Sequence, residues 1–97
     1  MEKMTKLEIV IPASELDDFI ELLEQLSVPG YTIFRQVAGM GDRGFQDAIG
    51  LSGAFENAYL IVACNAEVFE RLREPIRVYL RSHGGFCLIS EVMWLLH

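Results

Sequence analysis

Five of the eight glycines fall between positions 39 and 53, and a single arginine stands among them. The run Gly39-Met40-Gly41-Asp42-Arg43-Gly44 carries the clearest chemical signal in the chain. Glycines let a backbone approach an anion, and successive N–H groups can form an anion-binding nest. Arg43 can pair with a phosphate or carboxylate through its planar fork. The other reading is a hairpin tip with a solvated arginine. A second glycine pair closes Ser82-His83-Gly84-Gly85. It reads either as a helix C-cap or as a second point where backbone can approach a ligand. Arg73, Arg77 and Arg81 recur at i, i+4, i+8, with Glu70 and Glu74 beside them. That spacing makes a solvated stripe with local ion pairs, or a ligand or partner surface. Phe45, Ile49, Leu51 and Phe55 punctuate the glycine-rich stretch. Apolar groups there pack back on the body or dock to a partner.

Catalysis has little to stand on. The two histidines, His83 and His97, have no ligand-spaced partner, and neither a C-x-x-C pair nor a nucleophile elbow is present. The expectation is a protein that is not an enzyme, has no catalytic residues, and holds no metal and no tightly bound cofactor.

Composition narrows the class further. The chain has 97 residues, is 52% hydrophobic and carries a net charge of −6. That length predicts one domain spanning 1–97. Its apolar content excludes disorder. A pI near 4.7 argues against nucleic acid as a partner, because phosphate contacts need clustered Lys and Arg. No run is long and apolar enough for insertion in a membrane. The N-terminus enters an alternating strand at once, which predicts no export signal and a cytoplasmic protein with reduced thiols.

The elements that must position these residues follow from periodicity. Leu7, Ile9 and Ile11 alternate with Lys6, Glu8 and Val10 over Thr5–Ile11, a strand with one buried face that Pro12 ends. Ser14 is the expected N-cap of an amphipathic helix whose stripe is Leu16, Phe19, Ile20, Leu23 and Leu26. Val28-Pro29-Gly30 stops it, and Tyr31–Val37 reads as a second strand. Strand character resumes over Glu56–Cys64. Asn65 then caps a second helix with stripe Val68, Phe69, Leu72, Ile76, Tyr79 and Leu80. Pro75 inside it predicts a kink or break near Glu74. Gly84-Gly85 ends the helix, and Phe86–Leu95 forms a fourth strand. The order βαββαβ predicts an α+β, ferredoxin-like antiparallel sheet of four strands, order 4-1-3-2, with both helices on one face. Cys64 and Cys87 then lie two strand spacings apart, about 9–10 Å. That is beyond the ~7 Å reach of a disulfide.

With these elements in view, the chain resembles the PII-like signalling proteins over residues 6–94, especially the small divergent ones associated with carboxysomes and bicarbonate transporters. The residues that carry the resemblance are Lys6-Leu7-Glu8-Ile9-Val10, Gly30-Tyr31-Thr32, Gly39-x-Gly41-x-Arg43-Gly44 and Ile89-Ser90-Glu91-Val92. The resemblance implies a homotrimer with its sheets facing inward and a partner-docking T-loop at about 38–57. It also implies effector binding in the clefts between subunits. The effector would be an adenine nucleotide (ATP, ADP, AMP or cyclic AMP) or bicarbonate. Gly39, Gly41, Arg43 and Gly44 would form the T-loop side of that site, and Gly84 and Gly85 the short loop before the last strand. Phe45, Ile49, Leu51 and Phe55 would meet the partner, a membrane transporter for inorganic carbon or another target. PII proteins proper carry a longer pre-strand loop with a lysine and a basic C-terminal segment. Here the loop is only Ser82-His83-Gly84-Gly85. No tyrosine lies in 38–57 to match the one that enteric PII proteins modify. The sequence thus predicts a regulatory sensor. Its rivals are a trimeric interaction module that needs no ligand and a metal-related trimer like the CutA proteins.

Overall fold

The computed structural model describes residues 1–39 and 56–97. Strand β1 (Glu2–Pro12) is followed by a three-residue 3-10 turn (Ala13–Glu15) and helix α1 (Leu16–Gln25). Then come β2 (Thr32–Val37), β3 (Asn57–Cys64), helix α2 (Ala66–His83) and β4 (Phe86–Trp94). The strands form one antiparallel sheet in the order β2-β3-β1-β4, which is the order expected from the sequence.

β1 occupies the interior of this sheet and is paired along its length with β3 on one side and β4 on the other. Period-2 alternation sends Leu7, Ile9 and Ile11 to one face, in register with Val62, Leu60 and Ala58 of β3. All six are buried, and Leu16, Phe19 and Leu23 of α1 and Leu72 and Ile76 of α2 close over them. The helices therefore cover one face of the sheet, as the apolar stripes of both predict.

The strand starts earlier than periodicity indicates, because Glu2, Lys3 and Met4 pair with Trp94, Met93 and Val92 of β4. Ser14 is not an N-cap. It sits within the 3-10 turn, and α1 begins at Leu16 with no side-chain cap. Asn65 does cap α2, its Oδ1 accepting the Val68 N–H at 2.8 Å. Pro75 does not break α2, which runs as one helix of 18 residues. Proline deletes only the hydrogen bond to the carbonyl four residues back, Arg71, on an exposed part of the helix. The turn after α1 depends on Ser27, in the left-handed region at φ 58°, rather than on Gly30. Arg71, an arginine outside the predicted stripe, secures that turn by donating to the carbonyls of Leu26 (3.0 Å) and Ser27 (3.2 Å).

The α2-to-β4 turn does depend on glycine. Gly84 and Gly85 have φ of 91° and 105°, which side-chain-bearing residues rarely adopt. A Cβ on Gly85 would collide with the Val10 carbonyl oxygen and lie 2.9 Å from Ile11 Cγ2. Gly85→Ala is therefore expected to cost about 2–4 kcal/mol, from strain and overpacking together. Gly39, with nothing within 4 Å of a built Cβ, should tolerate alanine within about 0.5 kcal/mol. Denaturant unfolding of both variants checks this, and equal effects would contradict it.

Candidate functional site

The register places the described parts of the predicted site at one end of the sheet. Pro12 and Val37 both pair with Asn57, and Val10 pairs with Phe86. The end of β1, the end of β2, the start of β3 and the start of β4 are therefore neighbours. Gly39 follows β2 at this end, and Gly84-Gly85 precedes β4 at the same end. They stand at opposite edges, three strand spacings or about 14 Å apart. Gly41, Arg43, Gly44, Phe45, Ile49, Leu51 and Phe55 lie outside the described residues.

Between the two glycine positions stands the 3-10 turn. The Ala13 N–H donates to the Glu56 carbonyl at 3.1 Å, tying the turn to the residue where the 38–57 segment rejoins the sheet. At the other edge, the Gly84 N–H donates to the Leu80 carbonyl at 2.8 Å, the expected helix C-cap. That N–H is engaged, so a ligand would meet this turn through its other atoms. A built Cβ on Gly84 has only Pro12 Cγ as close as 4.0 Å, so the turn is open on that side. His83 Nδ1 lies 3.0 Å from the Tyr79 carbonyl. A carbonyl only accepts, so Nδ1 carries the proton.

Two arginines of α2 are paired within the helix. Arg77 forms a fork–fork pair with Glu74, at 3.1 and 2.8 Å. That bond holds the Glu74 carboxyl below the usual carboxylate range. Arg73 lies 3.5 Å from Glu70. Arg73 and Arg77 thus make the local ion pairs that one of the two readings of the stripe expects. On the open face of the sheet, the Tyr59 hydroxyl donates to Glu8 Oε2 at 2.6 Å, which raises the Tyr59 pKa.

A cleft of 410 Å³ runs along the β4 edge, away from Gly39, lined by Leu7, Ile76, Leu80, Arg73, Arg77 and Cys87. Its size is within the range of small-molecule sites. No group of three or more metal-ligating side chains occurs among the described residues, and no described helix is long and apolar enough to cross a membrane. Cys64 and Cys87 are free thiols on strands separated by β1.

The comparisons bear on this geometry. The family model for nitrogen regulatory protein P-II matches residues 4–95. The chain belongs to the P-II family. CPII from Thiomonas intermedia K12, a nitrogen regulatory PII-like protein solved with ADP, AMP and bicarbonate, superposes with a TM-score of 0.75. The two are 22% identical over 95% of this chain and 88% of that one. A PII-like signaling protein from Thermus thermophilus gives 0.69 at 19% identity, covering 97% of this chain and 90% of its own. GlnK of B. subtilis, solved with ATP, gives 0.67 at 17% identity over 95% and 84%. At these identities the structural likeness is one of fold. None of the curated proteins matches the chain. As a P-II family member, it is a PII-like regulatory protein with the ferredoxin-like sheet read from its sequence.

Sequence reasoning missed the role of three side chains at this sheet end. Glu15 is the last residue of the 3-10 turn, and its Oε1 accepts the Tyr79 hydroxyl at 2.9 Å. Tyr79 reads in the sequence as a core position, and His83 as part of a helix stop. The legible signal was only the placement of all three near the ends of β1 and α2.

Cys87 provides a pH test of the β4 edge. Burial, with a smaller contribution from Glu8, pushes its thiol up to about 11. The fold thus favours the protonated thiol. Its contribution to stability is complete below the unfolded pKa near 9 and is lost as pH rises towards 11. Folded Cys87 should also react with iodoacetamide at pH 8 about a hundredfold more slowly than the unfolded chain. A fast, pH-independent reaction would contradict this environment.

Proposed function

We propose that the chain is a cytoplasmic sensor with no catalytic activity of its own, built as one domain that assembles into a homotrimer. It binds an adenine nucleotide or bicarbonate at the clefts between subunits. Occupancy selects one state of the T-loop, residues 38–57, and so controls docking to a target, a membrane transporter for inorganic carbon. The observation that carries this reading is the convergence of Gly39 and Gly84-Gly85 on one end of the sheet. In one copy they stand too far apart to grip a single phosphate. A neighbouring copy that brings its own sheet end alongside would close the gap. CPII, with ADP, AMP and bicarbonate, and GlnK, with ATP, supply the effector class.

Exposed apolar side chains support the trimer. Phe34, Phe86, Leu88 and Trp94 lie on the open sheet face and are 45–57% exposed in the isolated chain. A face of that composition is covered in solution by another apolar surface. Arg43 and the glycines around it are assigned to the phosphate, and Phe45, Ile49, Leu51 and Phe55 to the target. The physical logic is a population shift: the effector moves the T-loop only by binding one of its states more tightly.

The engaged Gly84 N–H favours a second reading, a trimeric module that docks to its partner without any effector. Calorimetry separates the two. At millimolar concentration, at least one of ATP, ADP, AMP, cyclic AMP and bicarbonate should give binding heat. Silence from all five would overturn the sensor reading in favour of the second. Arg43→Ala should weaken binding of a phosphate-bearing effector by about 1–3 kcal/mol, the worth of a charged hydrogen bond. An unchanged affinity would remove Arg43 from the site.

A further inference from the structure

The α2-to-β4 turn and the exit of the 38–57 segment are joined by a continuous set of contacts. Tyr79 stands one turn before Gly84. Its ring stacks on the His83 imidazole, with centroids 4.0 Å apart and planes at 17°. Phe19 of α1 meets the same ring edge-on at 5.3 Å, so the ring is held from two sides. Its hydroxyl donates to Glu15 at 2.9 Å. Burial first, and then the Glu15 carboxylate, raise the Tyr79 pKa, which keeps that donor in place through the physiological range. Glu15 ends the same three-residue turn that Ala13 begins, and Ala13 donates to the Glu56 carbonyl. A built Cβ on Gly84 also meets the same segment, at Pro12.

We infer that Tyr79 and Glu15 are positioning residues that transmit the state of the His83–Gly85 turn to Glu56, where the T-loop rejoins the sheet. A 3-10 turn is short and has poorer hydrogen-bond geometry than an α-helix. Moving Glu15 by pulling on its carboxylate therefore shifts Ala13 as well and lengthens the bond to Glu56. The link requires this turn to have two arrangements. Such coupling is reciprocal in free energy: whatever biases the state of Glu56 biases that of the glycine turn by the same amount. That the glycine turn responds to an effector rests on the function proposed above. The mechanical link itself does not.

Hydrogen exchange tests the link from both ends without ligand. Tyr79→Phe removes only the hydroxyl. It should speed exchange of the Ala13 amide and of residues 56–59 at least threefold. Ala13→Pro removes the N–H that holds Glu56, at a position that follows an extended Pro12 with φ −58° and ψ 140°. It should speed exchange of the Gly84 amide by a similar factor. The mid-strand amides of Leu7 and Leu60 should stay within twofold in both variants. Effects confined to the mutated side, or equal acceleration at Leu7 and Leu60, would overturn the link. In the first case the two ends are independent, and in the second the residues are merely structural.

A second arm uses ADP as the probe. In the native protein ADP should change exchange at residues 56–59. In Tyr79→Phe that change should be lost, while the calorimetric affinity stays within threefold. Retention of the full change in Tyr79→Phe would overturn the inference. If ADP gives no heat with the native protein, ADP is not the effector, and the ligand-free arm still decides the link.

Discussion

Pairing of β1 on both of its edges is the constraint on which the rest of the molecule depends. Because β3 and β4 both take their register from β1, its alternation decides which face of all three strands is buried. A slip of one residue would turn Leu7, Ile9 and Ile11 away from the helices and leave Phe19 and Leu72 without a floor. The same register sets where β1 ends, and three connections meet there. The 3-10 turn leaves from Pro12, the chain leaves β2 after Val37 and rejoins the sheet after Glu56, and the glycine turn enters at Phe86. The proposed site is located by the end of one strand.

Gly85 shows how tightly that end is specified. Its backbone lies against Val10 and Ile11 so closely that any side chain would displace the central strand. The Gly85 end of the pre-β4 turn is therefore packed onto β1, while the Gly84 end has only Pro12 as near as 4.0 Å to a built Cβ. The other edge, at Gly39, has open space around it. One half of the proposed effector site is held by packing, and the other belongs to the segment whose state the effector would select.

Much of the fold was legible because its signals are local. Alternation marked β1, a continuous apolar run marked β3, and Asn65 and the Gly84-Gly85 pair marked the two ends of α2. The misses have tertiary causes. Glu2–Met4 become strand because β4 reaches far enough to pair with them, which no local pattern records. Ser14 has the chemistry of a cap, yet the chain winds a 3-10 turn before α1 begins. Arg71 looks like one more solvated cation until folding brings the end of α1 beside it. The site was legible in part. Glycine clusters pointed to Gly39, Gly84 and Gly85, and the fold places all three at one sheet end. The Tyr79–Glu15 contact joins residues 64 apart in the chain, a distance across which no motif can be read. Part of the 52% apolar content lies outside the core, on β4 and the open sheet face, where Phe86, Leu88 and Trp94 stand exposed in the isolated chain.

The most direct measurement is a crystal structure of the protein grown with ADP. The account predicts three copies packed through their open sheet faces. It also predicts the nucleotide phosphates between Gly84-Gly85 of one copy and the Gly39–Arg43 stretch of the next, at the sheet end where β1 finishes. Nucleotide bound at another surface, or copies that leave their open sheet faces uncovered, would contradict it.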